Sequence, residues 1–164
     1  MPAKNYHVRQ AAVSALHAWA QGHDYADTLI ERHAQRRKLS SADRGLLQAI
    51  LFGVLRHRRV LDHWIGKLRD GKIDAETRDI LRVGLCQLLI LGLPDHAAVN
   101  ETVEAGKANV RALINAVLRR ATTPASGCWK AWRTKNFPPP SSTPIRTGST
   151  TAGAPLSAKK TPSP

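Results

Sequence analysis

The sequence has no acidic residue after Arg120, because all 12 Asp and Glu lie within the first 120 positions. Eight of its ten prolines, by contrast, follow Arg120. This last segment also shows no apolar periodicity, and such a composition is typical of chain that builds no packed core. We therefore predict two parts: a domain over residues 5–120 and a disordered, basic tail rich in Pro, Ser and Thr over residues 121–164.

Cysteine is scarce, and long apolar runs are missing. The two cysteines, Cys86 and Cys128, provide no disulfide framework, which favours a reduced, cytoplasmic setting. Cys86 lies within an apolar run and is interpreted as a small buried hydrophobe. The longest apolar stretch, Leu85–Leu93, is too short to span a bilayer. The first residues contain no apolar segment of the signal-peptide type, so we expect neither export nor a membrane partner.

A catalytic constellation is also missing from the sequence. The seven histidines are dispersed, and none pairs with a cysteine or an acid at the spacing of metal ligands. We find no Gly-rich phosphate loop, nucleophile elbow or Cys-x-x-Cys motif. Asp43-Arg44 and Asn100-Glu101 are interpreted as capping and inter-helix hydrogen-bonding groups. We expect no metal, no cofactor and no enzymatic activity in this chain as it stands.

The first 120 residues do contain a clear apolar period of about 3.6 residues, which is the period of an α-helix. No segment shows the sustained alternation of a β-strand. We therefore predict an all-α bundle of about six or seven helices. The clearest single stripe is formed by Val8, Ala12, Ala15, Leu16 and Trp19.

Local signals indicate where helices begin and end. Gly22 is expected to end the first helix, and Asp24 is a candidate N-cap of the second. Ser40 or Ser41 is expected to cap the third helix, and Asp74 a later one.

Two longer segments leave questions about continuity. The pattern from Leu46 to Leu68 loses phase near His57, which indicates either one long kinked helix or two successive helices; we favour two. The helix that starts at Asp74 is expected to run to about Leu91. Its second half is apolar nearly all round, so we predict that it is the central helix of the bundle.

An excess of basic charge is the main indication of a partner. The first 120 residues carry 19 Lys and Arg against 12 acids, net +7, and the tail raises the total to +13. Such charge favours RNA or DNA over membranes, and arginine binds phosphate through two parallel hydrogen bonds. A structural alternative is that some of these cations complement helix dipoles. The candidate RNA-binding residues are Lys4 and Arg9; Arg36 and Arg37; Arg56, Arg58 and Arg59; and Arg119 and Arg120.

Three segments in order resemble the NusB-like domain: ADRGLLQAILFGVLRHRRVLDHWI, RDILRVGLCQLLILGLPDHAAVNETVEAGK and RALINAVLRR. They are most similar to its version at the N-terminus of bacterial rRNA cytosine-5 methyltransferases of the RsmB (Sun/Fmu) type. The resemblance covers residues 5–120. Cys86 departs from it, because an aromatic residue is common there. The segment between Lys107 and Arg111 is short for the family.

The resemblance implies that the all-α bundle is a NusB-like, RNA-binding domain in one of two settings. In the methyltransferases it precedes a catalytic domain that uses S-adenosylmethionine and a cysteine nucleophile to methylate cytosine. In stand-alone antitermination factors it binds RNA together with a ribosomal protein. The segment after Arg120 shows no catalytic domain, and Cys128 within SGCWK does not match the nucleophile motif.

We therefore interpret the chain as the RNA-binding part of a truncated or frameshifted rRNA methyltransferase, with rRNA as the expected partner. One alternative is a stand-alone transcription antitermination or RNA-binding factor. Another is a scaffold that docks a ribosomal protein or a transcription factor.

Overall fold

The computed structural model describes residues 6–22, 24–123 and 128–136. These residues form seven α-helices and one π-helical segment, and the described ranges contain no strand, so the all-α prediction is confirmed. No helix within these ranges is long and apolar enough to cross a bilayer. The helices are α1 (Tyr6–Ala20), α2 (Ala26–Arg36), α3 (Ser41–Leu68), α4 (Ala75–Leu85), α5 (Asp95–Ala105), α6 (Ala108–Thr122) and α7 (Cys128–Asn136), and the π segment is Cys86–Leu91.

The centre of the bundle is α4, as its apolar sequence predicts. It packs against α1, α3, α5 and α6. Every residue from Asp79 to Leu89 is buried, which includes the start of the π segment. Burying one large aliphatic side chain contributes about 1.5–3 kcal/mol. The fully enclosed Leu81 and Leu85 of α4 and Leu88 of the π segment therefore each stabilise the core.

Two of the predicted helix caps are confirmed. Ser40 and Asp74 each accept a hydrogen bond from the backbone N–H three residues on, at 3.1 Å and 2.9 Å. These bonds satisfy backbone donors that the first helical turn leaves without partners. The Asp24 prediction is wrong, because Tyr25 precedes the first residue of α2. The Asp24 carboxylate instead accepts a hydrogen bond from Arg32 at 2.7 Å.

A kink interrupts α3 where the apolar pattern loses phase. His57 has φ −111° and ψ 20°, outside the helical region, while the helix continues on both sides. Two helical stretches therefore meet at this kink, in agreement with our preference for two successive helices, and α3 includes both of them. The kink keeps apolar residues of both halves in the core, since Leu51 and Leu61 are both fully buried.

The predicted helix from Asp74 to Leu91 changes character near its end. Its α-helical part stops at Leu85, and the chain continues as the π segment. Gly92, with φ +65°, ends that segment in the left-handed region that glycine adopts without strain. The π segment shifts later residues around the helix axis, and a nearly all-apolar sequence contains no polar marker that would reveal this shift.

The described part of the tail corrects the prediction of disorder for residues 128–136. These residues form α7, which packs against the π segment. The Trp132 ring meets Trp64 of α3 edge to face, with centroids 6.3 Å apart. The Arg133 guanidinium occupies the space that a Cβ at Gly92 would need. Residues 124–127 and 137–164 of the predicted tail lie outside the described residues.

A buried ion-pair cluster joins α3 to α4. The Arg82 side chain is 8% exposed, and it donates to both carboxylate oxygens of Asp62 at 2.8 Å. It also donates to Asp79 at 2.7 Å. A planar guanidinium matches a carboxylate through two parallel hydrogen bonds. None of these three residues was predicted from the sequence to have a structural role.

Candidate nucleic-acid interface

Arg9 is a buried structural residue and not a surface cation. Its side chain is 4% exposed; its Nε donates to Gln87 at 2.9 Å, and its Nη1 lies 2.6 Å from a Glu101 oxygen. Gln87 in turn donates to Thr102 at 2.9 Å. Burial lowers the pKa of Arg9, while the carboxylates of Glu101 and Asp43 oppose that shift. The position of Arg9 therefore contradicts our expectation that it contacts RNA.

The second predicted group lies at the C-terminal end of α2. Arg36 is exposed, and Arg37 is partly buried and donates to Gln10 of α1 at 3.1 Å. Both positions suit the structural alternative, since cations near a helix C-terminus complement its dipole. Lys4, the other surface cation predicted near the start of α1, lies outside the described residues.

Arg58 lies on a different side of the bundle from Arg37. Its guanidinium is 6.0 Å from the ring centroid of Trp19, a cation–π distance. Gln10 and Trp19 are nine residues apart on α1, which corresponds to about 13 Å along the axis and about half a turn around it. Arg37 and Arg58 thus contact opposite sides of α1. The structure does not merge these two groups into one surface.

Four exposed basic residues lie along α3, from just before the kink to the last turn. Arg59, His63 and Lys67 recur every four residues, so they share one face of the helix after the kink. Arg56 precedes them by three residues. Within the described ranges none of the four forms an ion pair. We call Arg56, Arg59, His63 and Lys67 the α3 basic face.

The cations at the end of α6 lie beside the end of α3. Arg120 donates to the backbone carbonyl of Leu68, the last residue of α3, at 3.2 Å. Arg119 is exposed and donates to Asn115 at 2.9 Å. Lys67 directly precedes Leu68, so the fold brings Arg120 to the same end of α3 as Lys67. A sequence separation of 52 residues between Leu68 and Arg120 hides this proximity.

A groove borders the α3 basic face and has a volume of about 570 Å³. Its wall on the far side is Trp132 of α7, which contacts Trp64. Of the described residues, no Asp or Glu lines it. The groove thus combines half-buried aromatic rings with exposed basic side chains at its rim. Its lining consists of Arg59, Val60, His63, Trp64, Lys67 and Trp132.

Four of these lining residues were not among the predicted RNA-binding residues although each has relevant chemistry: His63, Trp64, Lys67 and Trp132. The four-residue spacing of His63 and Lys67 after Arg59 was a readable signal that the sequence interpretation did not use. Trp132 offered no such signal, because it lies in a segment without apolar periodicity. Only the packing of α7 against α3 reveals its place.

Cys86 is a core residue, as expected, and its environment suppresses thiol chemistry. Its thiol lies 3.7 Å from the Ile50 carbonyl, and a Cβ at Gly53 would come within 2.6 Å of its sulfur. Burial raises the pKa of the Cys86 thiol to about 12. The reactive thiolate is therefore almost absent near neutral pH.

We expect Cys86 to be unreactive towards Ellman's reagent in the folded protein, because its sulfur is both buried and protonated. Unfolding in guanidinium should expose one reactive thiol. The measurement is made in a Cys128→Ser variant, so that Cys86 alone is counted. Rapid labelling of that variant before unfolding would contradict the buried position.

Comparison with known families and proteins places this helical bundle among its relatives. The sequence profile described as the NusB family matches residues 7–123. The chain belongs to the NusB family. The α3 basic face therefore lies within the NusB domain, whereas α7, and with it the Trp132 wall of the groove, lies beyond the matched residues.

Curated proteins similar to this chain carry the name ribosomal RNA small subunit methyltransferase B. The Synechocystis protein, designated probable, is 37% identical over 68% of this chain and 27% of its own length. The proteins of Escherichia coli and Escherichia fergusonii are each 41% identical over 52% of this chain and 21% of their length. The NusB-family chain thus spans about a fifth to a quarter of the length of these relatives.

Proposed function

We propose that this NusB-family chain binds RNA and that the α3 basic face is the main contact. The observation that carries the proposal is the arrangement of Arg56, Arg59, His63 and Lys67, which are exposed along α3 and form no ion pair with an acid of the described residues. Guanidinium and ammonium groups in such positions are available to phosphate oxygens. Arg120, at the end of the same helix, extends the basic surface.

We propose ribosomal RNA as the class of RNA. The support is the name of the relatives, which are small subunit rRNA methyltransferases. The matched region is a fifth to a quarter of those enzymes, so we propose that it supplies RNA contacts rather than methyl transfer.

The test compares two triple variants of equal charge. Arg56→Gln, Arg59→Gln and Lys67→Gln together remove three cations from the α3 basic face. Arg36→Gln, Lys72→Gln and Arg78→Gln remove three exposed cations elsewhere. Each set lowers the net charge from +13 to +10. Any difference between the two sets therefore reports position and not overall charge.

We expect wild-type affinity for a fluorescein-labelled rRNA fragment to fall roughly 50-fold between about 50 and 200 mM salt, if four phosphates are neutralised. The α3 triple variant should bind about tenfold or more weakly, with a salt slope shallower by about two. The control triple should stay close to wild type. Fluorescence anisotropy measures the RNA affinity of the wild type and of both triple variants. Equal losses in both triples, or wild-type binding that salt does not weaken, would contradict the proposal.

A further inference from the structure

We infer that the groove between α3 and α7 takes one unpaired base of single-stranded RNA, stacked on the Trp64–Trp132 pair. This inference rests on the proposed RNA binding and adds to it the form of RNA that is recognised. It also assigns a role to α7, a helix that lies beyond the residues matched to the NusB family.

The aromatic pair offers a base one ring face and one ring edge. Trp64 and Trp132 meet edge to face, at 68° between planes, so a base that stacks in parallel on one ring meets the other ring at an angle. Both rings are half-buried and line the groove. Bases that are free of a duplex stack on aromatic side chains in this way, and every base has a π face that suits it. A base within a duplex is already stacked and paired and cannot enter.

The cations beside the groove are placed to contact the RNA phosphates on either side of such a base. Arg59 and Lys67 are eight residues apart, about 12 Å along α3, with His63 between them. A strand that follows the helix would therefore meet one cation before the stacked base and another after it. The absence of ion pairs at Arg59 and Lys67 among the described residues leaves both groups available to phosphates.

A second aromatic cavity in the described structure fits RNA less well. It measures about 700 Å³ and contains Trp19, Tyr25 and Arg58. Asp24 and Asp27 also line it, and carboxylates repel phosphate. Because no acid of the described residues lines the groove at Trp64 and Trp132, charge complementarity favours that groove.

The experiment uses the full chain and two RNA probes: labelled oligouridylate, which is single-stranded, and a blunt RNA duplex of equal length. Trp132→Leu should weaken oligouridylate binding about tenfold, since one base-stacking partner is lost. Duplex binding should change less than twofold. Trp132→Phe should retain most of the affinity because its ring still stacks. Trp19→Leu is the matched control and should bind both probes as wild type does.

Two further measurements show whether Trp132→Leu still folds and whether the RNA contacts Trp132. Of the described residues, none in α7 belongs to the buried core, so Trp132→Leu should leave thermal unfolding of the bundle unchanged. Oligouridylate should quench tryptophan fluorescence in wild type and in Trp19→Leu, and should quench it less in Trp132→Leu.

The outcomes separate the two proposals. If the wild-type chain binds neither probe, RNA binding fails and the inference fails with it. If the chain binds RNA with the expected salt dependence but Trp132→Leu binds oligouridylate normally, only the stacking groove is wrong. The groove would then suit a protein segment instead. Equal loss of single-stranded and duplex binding would overturn the inference as well.

Discussion

Arg82→Met is expected to lower the free energy of unfolding by about 3 kcal/mol and the melting temperature by about 10 °C. The guanidinium bridges Asp62 on α3 and Asp79 on α4, with three donor–acceptor distances between 2.7 and 2.8 Å. Removing it leaves the nearly buried Asp79 carboxylate without its cation. The expected loss of unfolding free energy lies near the lower end of the range for broken buried ion pairs, because Asp62 is 37% exposed and can be hydrated.

Arg78→Met is the matched control for this prediction. Arg78 lies one turn earlier on the same helix and is exposed, so its substitution should change stability by no more than about 0.5 kcal/mol. Urea unfolding followed by circular dichroism measures both variants. A triple variant, Arg82→Met with Asp62→Leu and Asp79→Leu, should recover part of the loss, because no unpaired charge then remains. Equal stability of Arg82→Met and Arg78→Met would show that the cluster is not needed.

The sequence was sufficient for the features of the fold that depend on local chemistry. Ser40 and Asp74 were identified as caps because their side chains can accept from the first turn, and the kink at His57 was located by a loss of apolar phase. Asp24 does not cap α2 because Tyr25 is the residue that precedes the helix. The Asp24 carboxylate accepts a hydrogen bond from Arg32 instead. The π segment was missed because a segment that is apolar all round fits several helical forms equally well.

The site was less predictable than the fold because it depends on distant pairings. Adjacent arginines in the sequence have different surroundings: Arg58 stacks on Trp19, whereas Arg59 borders the groove. A step of one residue rotates about 100° around a helix, so a cluster of basic residues divides between faces. Trp132 could be placed only by its contact with Trp64.

Arg9→Met is expected to reduce the free energy of unfolding by about 3–5 kcal/mol and to leave the salt dependence of RNA binding unchanged. In the sequence, Arg9 resembles any cation near the start of a helix. In the fold, Gln87 and Glu101 enclose it, and both partners follow it by more than 75 residues. Its loss would leave the Gln87 oxygen without a donor inside the core, which adds a desolvation cost of about 1–3 kcal/mol.

A double variant distinguishes the structural role of Arg9 from a role in binding RNA. Arg9→Met with Glu101→Leu removes both charges, so it should be more stable than Arg9→Met alone. Arg36→Met, at an exposed site, should cost little and serves as the control. Urea unfolding gives the stabilities, and anisotropy at several salt concentrations gives the RNA slope. If Arg9→Met folded with wild-type stability and its salt slope became shallower by about one, Arg9 would be a phosphate contact, and its burial between α1, the π segment and α5 would be wrong.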